Sequence, residues 1–252
     1  MDEPPLTLIR QTNSGRPALD TAISHAVMER VAAGELGPTF RLRAAEPVLA
    51  FGKQDANSPG FAAAVAAARA AGFAPILRLA GGRAAVFHEG TLAFAHATPA
   101  ARPTQGTHAR FERTGKWLVA ALARLGVDAR VGEVPGEYCP GAYSVNAGGR
   151  IKIVGVGQRL VRGVAHLGGV VVVTGTAALR DVLIPVYDAL GLDWDPATAG
   201  SVEDELPGVT LEQVTEAIVA ELAERYELTE GTFDERTLAR AHELEPEHAV
   251  SV

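Results

Sequence analysis

The order in which strand-like and helix-like hydrophobic periods follow one another constrains the fold of this chain most. The runs LTLIR (6–10), TFRLRAAE (39–46), PVLAFG (47–52), PILRLA (75–80), AAVFHE (84–89) and TLAFAHA (91–97) read as strands. Several are separated only by turn-length segments. Between and after them lie helical patterns. Leu19, Ile23, Ala26, Val27 and Val31 recur at helical spacing, with Pro17 near the start and Gly34 at the end. An Ala-rich helix is expected from about Pro59 to Ala71, stopping at Gly72, and further helices over 107–125, 176–190, 210–226 and the last twenty residues. VDARVG (127–132) reads as another strand, and VVVV (170–173), bounded by Gly168, Gly169 and Gly175, as a buried strand too short to span a membrane. Strands in hairpin-like runs that do not alternate strictly with helices specify an α+β chain, a single domain with a mixed or antiparallel β-sheet flanked by helices. At 252 residues it can bury a substantial core.

Charge and cysteine usage narrow the function classes. The formal net charge of −7 excludes broad non-specific binding to nucleic acid, which needs a basic footprint. With Cys139 as the single cysteine no intramolecular disulfide forms, and a cytoplasmic, reducing compartment fits. The segment MDEPPLTLIR lacks the basic and apolar regions of a signal peptide, so neither targeting nor membrane attachment is expected.

Residues 136–169 hold the most unusual choices. Cys139 precedes Pro140-Gly141, a turn signal that keeps it out of helical geometry and within reach of a ligand. Such a thiol is either a nucleophile, which must react as thiolate, or filler in a small apolar gap. Lys152 is one of only three lysines, with Lys53 and Lys116, in a chain that otherwise uses Arg. Strand alternation over IKIVGV places it on the face of Val154 and Val156, so it is either an edge-strand gatekeeper or an ammonium aimed at a carbonyl or phosphoryl oxygen. Gly81-Gly82 allows close backbone approach of a ligand, or simply a tight strand connection. GVGQR (155–159) falls inside a hairpin, which excludes a dinucleotide-binding reading, and no Walker loop is present. The histidines form no HExxH and a structural zinc site is not supported; His88 and His166, near the glycine-rich segments, are candidates for acid/base or structural roles.

The succession PVLAFGKQ (47–54), RLAGGRAAVFHEGTLAF (78–94), EYCPGAYSV (137–145) and GGRIKIVGVGQRLVRGVAHLGG (148–169) resembles the lipoate-protein ligase and octanoyltransferase branch of the biotin/lipoate protein ligase family. The resemblance spans roughly residues 10–190. It implies a biotin/lipoate protein ligase-like catalytic domain over 1–190 and a helical C-terminal extension over 191–252 packed on the same domain. Arg78, Gly81 and Gly82 match an Arg-x-x-Gly-Gly segment that lines the acyl pocket. Lys152, Gly155 and Gln158 match a lysine before a Gly-x-x-Gln strand that contacts the acyl carbonyl, and His166 matches a histidine at the next strand. Tyr138-Cys139-Pro140-Gly141 is similar to the segment of the cysteine-dependent amidotransferases. Arg83 and His88 depart from the family pattern, where a small or apolar residue and an acidic one are usual.

The resemblance implies an acyltransferase that moves an octanoyl or lipoyl group through a Cys139 thioester to the lysine of a lipoyl domain. Lys152 would polarise the carbonyl, with help from backbone N–H groups near Gly141 or Gly82. The donor would be acyl carrier protein or glycine-cleavage H protein, and no cofactor would be required. One alternative is an ATP-dependent lipoate-protein ligase working through an acyl-adenylate, which would use ATP and Mg. A second is a non-catalytic acyl-binding module. Arg159 and Arg162 are candidates for a local basic patch toward an acidic partner domain.

Overall fold

A computed structural model describes residues 4–12 and 15–252; Met1, Asp2 and Glu3 of the amino-terminal segment read above lie outside the described residues. In chain order the elements are β1 (Leu6–Ile9), α1 (Pro17–Ala32), β2 (Thr39–Ala44), β3 (Val48–Phe51), α2 (Lys53–Ala56), α3 (Phe61–Ala70), β4 (Ala74–Leu77), β5 (Ala85–Phe87) and β6 (Thr91–Ala100). Then follow α4 (Thr107–Arg124), β7 (Ala129–Val131), β8 (Val145–Ala147), β9 (Ile151–Val161), β10 (Gly163–Val172), α5 (Thr176–Leu190), α6 (Leu211–Ala223), β11 (Leu228–Glu230) and α7 (Glu235–Leu244). Local chemistry sets several boundaries. Pro17 opens α1, where its missing N–H costs nothing. Thr210 and Asp234 accept from the backbone N–H of Gln213 and Thr237 to cap α6 and α7, and Gly191 closes α5 in the left-handed conformation.

The large sheet has the order β11-β1-β2-β6-β10-β9-β8-β7 and the small one β4-β3-β5. Both are mixed: β1 runs parallel to β2 and β11, and β3 parallel to β4, while the remaining pairs are antiparallel. One face of the large sheet presents Phe40, Leu42, Phe94 and Leu167 to Trp117 and Leu118 of α4 and Ile218 and Leu222 of α6. Each such fully buried apolar side chain contributes about 1.5–3 kcal/mol. The opposite face meets α1 and the small sheet, and α3 and α5 cover the small sheet in turn. The stretch beyond 190 holds α6 and α7 and also a strand, β11, which extends the large sheet alongside β1. Its end returns to β4: Leu77 N–H donates to the His248 carbonyl, and Ile76 bridges Ala249. Among the described residues no helix is long and apolar enough to cross a membrane.

Candidate active site

Where the large sheet faces α1 and the small sheet, the two do not close, and a cavity of about 560 Å³ remains. This is within the ~300–1,000 Å³ usual for small-molecule sites. Its floor follows from strand register. Arg41, Ala95, Gly168 and Gly157 pair in one row across β2, β6, β10 and β9, and Arg43, Ala93, Val170 and Gly155 in the next. Directly paired residues share a face. Ala95, Gly168 and Gly157 in the first row, with Ala93 and Gly155 in the second, keep most of the floor low, and Ile76, Leu79, Ala85 and Phe87 supply an apolar roof.

Cys139 stands at the β9 end of this cavity. Its φ of +43° makes it the one residue other than glycine with positive φ among the described residues, a conformation that costs of order 1–3 kcal/mol and needs restraint from its surroundings. The restraint is visible on both sides. Cys139 N–H donates to Tyr187 Oη (2.8 Å), whose hydroxyl donates to the Ala84 carbonyl (2.9 Å). Burial, with Cys139 nearby, raises the Tyr187 pKa, so the phenol keeps the proton it donates. The sulfur accepts from Arg83 N–H (3.2 Å) and lies 3.8 Å from Arg78 Nη1, which itself donates to the Arg83 carbonyl (2.9 Å).

Lys152 is 1% exposed and uses all three donors: to Glu137 Oε1 (2.9 Å), the Tyr138 carbonyl (2.9 Å) and the Cys139 carbonyl (2.8 Å). It lies on the cavity face, opposite to the side that simple alternation assigns. The β8–β9 pairing shifts register, with Val145 opposite Val154 but Asn146 opposite Lys152. The extra residue turns Ile153 and Val154 into one core, and leaves Lys152 beside Gly155, where an added Cβ would meet its Cε at 3.5 Å. Val154 is therefore core, and Val156 packs against the same core while also bordering the cavity.

The other expected residues divide. Arg78, Gly81, Gly82, Gly155, Gln158 and His166 all border the cavity. Gln158 is locked to α4, accepting from Arg110 Nε (3.0 Å) and donating to the Thr107 carbonyl (2.9 Å). His166 is buried with Nδ1 unpartnered, and burial holds its pKa down to about 3, so the ring is neutral. His88 is away from the cavity, packed where a Cβ on Gly175 would touch it, and accepts from Gly90 N–H. No histidine reaches Cys139 Sγ among the described residues. Gly141 N–H is committed to Glu137 Oε1 (3.2 Å), so the N–H facing the sulfur is that of Arg83.

Arg83 was legible only as a departure from a pattern, yet three of its groups organise the site. Besides its N–H and carbonyl, its Nη1 donates to Asp55 Oδ1 (3.2 Å), and Asp55 is 0% exposed. Asp55 also accepts from Gly52 N–H, and a Cβ on Gly52 would lie 1.8 Å from the Gly82 carbonyl oxygen, so only glycine admits this contact. Gly52, Asp55, Glu137 and Tyr187 are site residues to which the sequence assigned no role, although Gly52 and Glu137 fall inside the motifs that carry the resemblance. GKQD after a strand was the available signal for Gly52 and Asp55.

Residues 16–223 match the lipoyl protein ligase A/B catalytic domain. The chain is 31% identical over 193 residues to a Geobacillus kaustophilus protein named octanoyl-[GcvH]:protein N-octanoyltransferase, covering 75% of this chain and 68% of that one. It is 29% identical over 159 residues to a protein of the same name from Anoxybacillus flavithermus, covering 63% of this chain and 57% of the relative. In three dimensions it is similar to a crystal structure of lipoate-protein ligase A bound with ATP, with a TM-score of 0.75 at 18% identity over 98% of this chain and 95% of the other. With the family domain matched over most of its length and the same α+β architecture around the cavity, the chain belongs to the lipoyl protein ligase A/B catalytic domain family.

Proposed function

We propose that the chain is an octanoyltransferase that passes an octanoyl group from a protein-bound amide through Cys139 to the lysine of a lipoyl domain. The observation that carries this reading is Cys139 itself, whose sulfur faces an apolar cavity and is already within reach of two N–H donors, from Arg83 and Arg78. The relatives named above act on octanoyl-GcvH, which supports the H protein of glycine cleavage as donor, ahead of acyl carrier protein. In the first step the Cys139 sulfur attacks the octanoyl carbonyl carbon, the C–N bond to the donor lysine breaks, and that amine leaves carrying a proton. In the second, the ε-amine of the acceptor lysine attacks the thioester carbon, the C–S bond breaks, and the thiol is restored. One amide replaces another, so the exchange needs no nucleotide. The seven carbons beyond the carbonyl contribute on the order of 5 kcal/mol on burial, at ~0.8 kcal/mol per CH₂.

Arg83 N–H and the Arg78 guanidinium are the donors placed to receive charge that develops on the carbonyl oxygen. Lys152 acts one layer below them. Its three bonds fix the backbone on both sides of the sulfur, and polarising the acyl carbonyl as well would require releasing one of them. The test is incubation with octanoylated H protein followed by intact mass. One added octanoyl group is expected, absent in Cys139→Ala; an adduct that survives loss of the thiol would overturn the reading.

A further inference from the structure

The far end of the acyl cavity is closed by charge. Arg41 and Arg43, on the same face of β2, both reach Asp20 of α1: Arg41 Nη2 bonds Oδ1 and Arg43 Nη2 pairs with Oδ2, while Arg41 Nη1 also donates to the Asp20 carbonyl (2.9 Å). Two guanidiniums therefore share one carboxylate. From β9, whose Lys152 holds the Cys139 carbonyl, to β2 there are three strand spacings, about 14 Å, room for a medium-length acyl chain and its carbonyl.

Behind this wall is a second cavity of about 240 Å³. Asp20, Thr21, Arg43, Ile76 and Phe87 border both. On the far side the lining adds Pro17, Ala44, Ala45 and Val48, which are apolar, with Thr12 and Glu46. An apolar chain end arriving at the partition would have to strip solvent or partners from an ion pair without replacing them, which is unfavourable.

We propose that the Arg43–Asp20 ion pair is a partition that limits the acyl chain to the first cavity, and that the second cavity is a distal subsite for longer chains, closed in this protein. The inference rests on the octanoyltransferase reading for the chemistry at Cys139, and on the wall shared by the two cavities for the length limit. Removing Arg43 leaves Asp20 paired one-to-one with Arg41, which takes the cluster from one net positive charge to none, and the variant is expected to fold. Each methylene that then finds apolar wall beyond the partition is worth roughly fourfold in affinity.

The experiment compares wild type, Arg43→Ala and the milder Arg43→Gln on two readouts. Cys139 acylation by p-nitrophenyl esters of C8 and C14 acids is followed by mass, and binding of free octanoic and tetradecanoic acids by calorimetry. Expected is a wild-type preference for C8 on both readouts, and a C14-to-C8 ratio raised at least tenfold in Arg43→Ala and less in Arg43→Gln. A ratio within twofold of wild type in both folded variants would overturn the partition. A shifted binding ratio without any acylation in wild type would support the partition and remove the transfer reading, so the two fail separately.

Discussion

The backbone N–H of Arg83 lies 3.2 Å from the sulfur of Cys139, close enough that a side chain between them has no room. The residue just before, Gly82, has φ +120°, and a Cβ there would come within 3.0 Å of the sulfur and 2.8 Å of Arg78 Nη1. Gly82→Ala is therefore expected to slow Cys139 acylation by on the order of a hundredfold through a displaced donor loop, at a stability cost of about 1–3 kcal/mol. Rapid-quench mass analysis measures the first quantity and urea unfolding the second. An acylation rate within threefold of wild type would show that the Arg83 donor is dispensable.

Lys152 and Glu137 form a buried ion pair, with side chains 2% and 0% exposed. Breaking such a pair from one side leaves an uncompensated buried charge and costs about 3–5 kcal/mol. Lys152→Met should lower stability by that amount in chemical denaturation and also release the Cys139 loop, seen as faster amide exchange at 138–142. A shift below 1 kcal/mol would contradict the burial described.

Tyr187→Phe removes the acceptor for the Cys139 N–H while keeping the ring against Trp194. The orphaned N–H is expected to cost about 1–3 kcal/mol. Because the hydroxyl also ties Cys139 to Ala84, acylation should fall by roughly tenfold as the left-handed turn relaxes. Equal stability of the variant and wild type in urea would argue against this bridge.

Stability should fall as the medium is acidified below neutral. Burial holds His96 down to about 4 and His166 down to about 3, and it lowers His25 and His248 as well. A histidine depressed in the folded state binds its proton first in the unfolded chain, so its contribution is fully present above about 6.5 and is lost as pH drops toward the folded value. For His96 and His166 the loss between pH 7 and 5 is on the order of 2 kcal/mol each. His25 and His248 add a structural consequence. His248 donates from Nδ1 to the Leu77 carbonyl (2.8 Å), so its Nε2 accepts from His25 Nδ1 (3.1 Å), and protonating both rings sets two donors against each other and breaks that link between α1 and the C-terminal segment. Urea midpoints from pH 8 to 5 measure the slope; a flat profile would mean these rings are not neutral in the fold.

Much of the architecture was legible because hydrophobic periodicity is a local property. The strand runs and the helices at 17–32, 61–70, 107–124 and 176–190 follow the spacing of apolar residues and the glycine and proline stops. β11 did not announce itself: three residues, Leu228–Glu230, make a strand only because β1 offers a free edge.

The sequence by itself determined the fold class and marked Cys139, Lys152 and the Arg78–Gly82 segment, since rare residues in turn- and glycine-rich contexts stand out without any knowledge of their neighbours. Tertiary structure decided how they work together. A bulge set the face of Lys152, backbone contact between Gly52 and Gly82 put the Arg83 N–H on the sulfur, and two sheets left unclosed made the cavity that Arg43 and Asp20 divide. These depend on contacts between residues tens of positions apart, through register, hydrogen-bond direction and unfilled volume, none of which a one-dimensional pattern encodes.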